Sequence, residues 1–159
     1  MSFWSIVFIV CIVAMVVGPI AMLQPSHRDK RLSGLRQAAA QKRLRVRLAS
    51  IQLSSAKKSI ALYSVSLPKT EQTRGAWSLI KQSFTHGLHF QGQWDWADKQ
   101  HVAPETYHQS IRQRVDTLDA SICGIEVTPI SVGVYWTEEG LTIDEIEALL
   151  LSLQAVLSD

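Results

Sequence analysis

The sequence predicts an α+β protein: one N-terminal transmembrane helix followed by a small cytoplasmic domain with an antiparallel sheet and two to three helices. Three observations predict it. No charged side chain occurs in the first 23 of the 159 residues. Half of the 16 lysines and arginines then fall between Arg28 and Arg47. Beyond them, apolar residues alternate at period 2 in several short runs and recur at helical spacing in two longer ones. The chain divides accordingly into a transmembrane helix over 1–24, a basic juxtamembrane helix over 25–43 and a cytoplasmic α+β domain over 44–159.

The apolar run from Phe3 to Leu23 is 21 residues long. At about 1.5 Å per residue it matches a hydrocarbon core of about 30 Å. A cleaved signal would have a basic start, a core of about 7–15 residues and a small-x-small exit. This run has none of the three. Arg28, Lys30, Arg31, Arg36, Lys42, Arg43, Arg45 and Arg47 follow the run, whereas no basic residue precedes it. By the positive-inside rule the N-terminus lies outside and residues 25–159 lie in the cytoplasm, in a single-pass protein of the bacterial inner membrane. Phe3 and Trp4 fall at the outer interface. Arg28, Lys30, Arg31 and Arg36 are the expected membrane-surface residues, each contributing about 1 kcal/mol beside an anionic leaflet. The tail from Thr137 to Asp159 balances them with six acids and no base.

Ser26 is the expected N-cap of the basic helix, with Leu32, Leu35 and Ala39 on one face. Leu44-Arg45-Val46-Arg47-Leu48 alternates apolar and charged residues, the mark of a half-exposed strand, here over 44–53. Further strands are expected over 59–67, 76–84 and 88–96. Short connections arrange these four as an antiparallel meander. A helix over 105–120 carries Tyr107, Ile111, Val115 and Leu118 at its inward spacing, with Pro104 at its start. Strands over 122–127 and 131–136 flank a tight Thr128-Pro129 turn. Thr142-Ile143-Asp144-Glu145 is a capping box opening a last helix, with Ile143, Ile146, Leu149, Leu150, Leu153 and Leu157 inward.

Chemistry-bearing patterns are sparse. His86, His89, His101 and His108 fall in a turn, an outward strand face, a loop and a helix, so convergence on a tetrahedral metal is not expected. Cys11 and Cys123 lie in separate segments and imply no disulfide framework, which suits a reducing compartment. There is no Gly-x-Ser-x-Gly elbow, no partner histidine for Cys123 and no phosphate loop. The basic stretch is explained by topology, so nucleic acid is not an expected partner. No catalytic residue, metal or cofactor is expected. Glu126 reads as an outward strand residue or as a buried acid with a shifted pKa. Trp94 and Trp96 alternate on one strand and read as core or as a recognition patch. With Tyr107 and Trp136 they are the candidate partner-contact residues.

The N-terminal span and the segment LQPSHRDKRLSGLRQAAAQKRLRVRL resemble uncharacterised small single-span inner-membrane proteins of Gram-negative bacteria. A span followed by a proline and a basic helix also resembles the Sec-translocase accessory subunit YajC. The resemblance covers residues 1–48. It departs thereafter, because that subunit continues into a Gly-rich small β-domain, and no functional residue is carried over. The expected function is a membrane-anchored, non-catalytic accessory or scaffold protein. Its expected partners are the lipid bilayer and a membrane protein met at the cytoplasmic face. The alternative is a membrane-tethered small-ligand sensor or enzyme with a pocket around Trp94, Trp96 and Tyr107.

Overall fold

The computed structural model describes residues 3–22, 26–53, 56–68, 75–85 and 87–158. In chain order these form α1 (Phe3–Met22), α2 (His27–Gln41), β1 (Arg45–Leu53), β2 (Ala56–Ser66), β3 (Trp77–Lys81) and β4 (Trp94–Trp96). Then come α3 (Glu105–Val115), β5 (Ile122–Thr128), β6 (Ser131–Trp136) and α4 (Ile143–Ser158). Two compact units result, Met1–Gly34 and Leu35–Asp159.

In the first unit, α1 exposes its apolar side chains, with Phe3, Trp4, Phe8 and Met15 each more than two-thirds accessible. Among the described residues, no helix is long and apolar enough to cross a membrane. Side chains described without interruption in α1 run from residue 3 to residue 15. That stretch covers about 20 Å of helix, short of the roughly 30 Å core. The expected transmembrane helix of residues 1–24, the single-pass N-out topology and the inner-membrane location are corrected on this finding. α2 starts as its cap predicts. The Ser26 and Asp29 backbone amides donate to the Asp29 carboxylate and the Ser26 hydroxyl, each at 3.2 Å.

The second unit is α+β, and its six-stranded sheet is antiparallel throughout, in the order β1-β2-β6-β5-β3-β4. The expected meander of the first four strands is interrupted. The β5–β6 hairpin inserts between β2 and β3, pairing Tyr63 with Val134 on one side and Leu79 with Ile125 on the other. The reason lies in burial. Nearly every residue of β5 and β6 is buried, and a strand buried on both faces belongs inside a sheet rather than at its edge. The expected strand over 88–96 shortens to Trp94–Trp96. Gly92, with φ +55°, makes a tight turn in which Gln91 and Trp94 exchange both backbone hydrogen bonds.

Leu79, Ile125, Val134, Trp136 and Tyr63 share one sheet face with the buried side of α4, namely Ile143, Ile146, Leu150 and Leu153. α3 adds Tyr107, Ile111 and Val115 to the same core. The α4 capping box forms as the sequence predicts: the Thr142 amide donates to Glu145 Oε2 at 2.7 Å and the Glu145 amide to Thr142 Oγ1 at 3.3 Å. Thr142→Ala should therefore lose about 1 kcal/mol in chemical denaturation.

Candidate functional site

The helices cover one face of the sheet. On the other, Ile51, Ile60, Leu62, Ile80, Cys123 and Tyr135 form a second buried cluster with Ala49 against it, and none of these residues comes from a helix. Register explains why. Alternation along β1 sends Arg45, Arg47, Ala49 and Ile51 to this open face, opposite Ser64, Leu62, Ile60 and Lys58 of β2. Gly124 and Gly133 lie beside Tyr135 in the central strands. A Cβ on Gly124 would come within 2.8 Å of the Tyr135 ring and 3.0 Å of the Leu79 carbonyl oxygen, so the tyrosine ring fills the space that a larger residue would take.

A groove of about 450 Å³ opens on this face. Ile51, Ile80 and Tyr135 contribute its apolar surface, and Ser50, Ser78 and Gln82 its polar surface, beside Trp96 and Ala97. The acid nearest the groove is engaged from two sides. Arg47 Nη2 reaches Glu126 Oε1 at 2.5 Å, and the Tyr135 hydroxyl donates to Glu126 Oε2. Glu126 thus accepts from both sides, which satisfies a half-buried carboxylate without leaving it free as a general base. A larger hollow of about 580 Å³ lies along α1 between Trp4, Val7, Phe8 and Cys11. It belongs to exposed side chains of a single helix and has no converging polar groups.

A second buried network lies under the helices. Arg36 Nε and Nη2 donate to the two Glu138 carboxylate oxygens, both at 2.9 Å, and the Tyr63 hydroxyl donates to Glu138 Oε1 at 2.8 Å. Glu138 is 6% exposed and holds a left-handed φ of +63°, which costs a non-glycine residue about 1–2 kcal/mol. The fork from Arg36 fixes that turn. Arg36 thereby ties α2 to the turn before α4.

The candidate partner-contact residues are mostly inside. Trp94, Tyr107 and Trp136 are buried, Trp136 completely. Trp96 is half-buried, edge-on to Trp77 and in tilted ring contact with Phe90 and His108. Of the three residues of the expected pocket, Trp96 lines the groove. Among the histidines, His86 lies outside the described residues. His89 bonds the Gly92 carbonyl, His101 bonds Asp98 and His108 bonds the Ala103 carbonyl. Among the described residues no three His, Cys, Asp or Glu side chains converge as metal ligands would. Sequence reasoning left Glu126 without a partner and missed Arg47 and Tyr135. The available signal was the Thr128-Pro129 hairpin, whose register sets Glu126 opposite Gly133 and diagonal to Tyr135.

Alkaline pH should expose these burials. Burial first, and a neighbouring carboxylate second, push the Tyr63 and Tyr135 hydroxyls well up. Burial pushes the Cys123 thiol up as well. Groups with a raised folded pKa contribute stability that is complete below their ordinary values of 9.0 for the thiol and 10.0 for the phenols. It is lost as pH rises through the folded values, at up to about 1.4 kcal/mol per pH unit for each group. Stability measured by urea unfolding should decline above pH 9, more steeply above pH 10, and less steeply in Tyr63→Phe.

No protein-family model, curated protein or solved structure matches the chain.

Proposed function

We propose that the chain is a non-catalytic binding module that takes an extended segment of a partner protein on its open sheet face. The observation that carries this reading is the asymmetry of the sheet. Helices cover one face, whereas the other presents a groove whose nearby acid is paired with Arg47 and hydrogen-bonded by Tyr135. Such a surface is mainly polar, with hydrogen-bonding groups at Ser50, Ser78 and Gln82 beside the side chains of Ile51 and Ile80, a combination suited to a polypeptide backbone. A second reading, a small-ligand sensor, is favoured by the groove's volume, since small-molecule sites span about 300–1,000 Å³.

Photoreactive amino acids placed at Ser50 and Ser78 in cells distinguish the two. Both positions should yield an adduct with the same protein, absent from a control at Gln113 on the exposed side of α3 and lost when Gln82→Arg fills the groove. If neither position captures a protein, and the purified chain shows a saturable thermal shift with a metabolite that Gln82→Arg abolishes, the sensor reading replaces this one.

A further inference from the structure

We infer that the outer edge of β1 accepts an acidic, extended segment of a partner protein as a seventh strand. The inference shares with the preceding section the reading of the chain as a binding module, but it concerns a different surface. β1 and β4 are the two edges of the sheet. β4 is 3 residues long and runs into irregular turns, whereas β1 is 9 residues long. A long edge presents a row of unpaired amides and carbonyls, and proteins normally blunt such rows by shortening, bulging or covering them. β1 is neither short nor bulged: its nine residues pair with β2 without a register shift. Leu48, in the middle of the strand, is 62% exposed, an apolar side chain of the kind a paired neighbour would shield.

Charge selects the occupant. Arg45 and Arg47 alternate along this edge, and Arg43 stands in the turn just before it at φ +60°; all three are exposed. Arg47 is engaged by Glu126. Among the described residues no carboxylate pairs with Arg43 or Arg45. A second copy paired in parallel register, or antiparallel about residues 45–47, would set arginine opposite arginine, and like charges facing across strands are destabilising. The edge therefore disfavours those self-pairings. It favours a strand that alternates acidic with apolar side chains, the acids meeting Arg43 and Arg45 and the apolar residues covering Leu48. Main-chain hydrogen bonds would supply affinity and the side chains selectivity, as in other strand additions.

The test uses the full chain and a fluorescent nonapeptide of alternating Glu and Val, with a Lys/Val peptide as control. Anisotropy should show saturable binding of the Glu/Val peptide alone, weakened about tenfold between low and moderate salt as screening shortens the range of the ion pairs. Amide exchange should slow in residues 45–49. The exposed double variant Arg43→Glu, Arg45→Glu should lose that binding and take the Lys/Val peptide instead, whereas Gln82→Arg in the groove should leave it unchanged. That last control separates failure at the edge from failure of the groove reading. Absence of saturable binding, equal binding of both peptides, or binding without slowed exchange in 45–49 would each overturn the inference. So would a dimer of the chain alone with residues 45–49 protected.

Discussion

Trp136→Ala should destabilise the second unit by about 3–5 kcal/mol, the largest loss expected from any single truncation in the chain. Trp136 is completely buried at the end of β6, where it pairs across strands with Ala61 and lies against Ile122. Its ring meets Tyr63 edge-on, with centroids 5.2 Å apart, and its indole N–H donates to the Glu139 carbonyl at 2.8 Å. Truncation removes the apolar burial, the aromatic contact and one of the two donors to that carbonyl, the other being the Leu141 amide at 3.0 Å, and it leaves a cavity under α4. Trp136→Phe keeps the apolar contact and should lose distinctly less. Urea unfolding of both variants measures the difference. A loss below about 1 kcal/mol for Trp136→Ala would mean that the site collapses to fill the space.

The second large effect is expected at Arg36. Arg36→Ala leaves the Glu138 carboxylate buried without its two guanidinium donors, while the Tyr63 hydroxyl still donates to it. Breaking a buried pair costs about 3–5 kcal/mol. The Arg36 side chain is 37% exposed, so water can partly replace it, and a loss near the lower end, about 3 kcal/mol, is expected. The double variant Arg36→Met, Glu138→Leu should be less destabilised than Arg36→Ala alone, because it removes the uncompensated charge together with its partner. Its outcome also bears on the left-handed turn at Glu138. If the double variant is worse than the single one, the carboxylate serves chiefly to hold that turn.

Local signals carried much of this architecture. The Ser26 and Thr142 caps, the inward face of α4 and the β5–β6 hairpin were legible because each rests on residues within one or two turns of one another. What the sequence did not convey depends on contacts far apart in the chain. Arg36 meets Glu138 across 102 positions and Arg47 meets Glu126 across 79, and neither spacing leaves a periodic mark. The strand order failed for a related reason. Proximity argued for a meander, whereas burial of β5 and β6 on both faces required central places. The tryptophans at 94 and 136 illustrate an ambiguity of alternation itself. Period 2 says which residues share a face but not whether that face is covered, and here helices cover it. The open face was missed because its aliphatic residues, Ile51, Leu62 and Ile80, lie on different strands and form a surface only after pairing. The apolar N-terminal run gave the boldest expectation, and length and hydropathy alone did not secure it.

The central claim, that the open sheet face is where a partner sits, is most directly tested by amide hydrogen exchange of the full chain with and without the protein recovered by crosslinking. The account predicts slowed exchange in β3 around Ser78–Ile80, at Gln82 and near Tyr135, with α3 and α4 unchanged. Protection confined to α3 and α4, or no change on the open face at saturating partner, would contradict it.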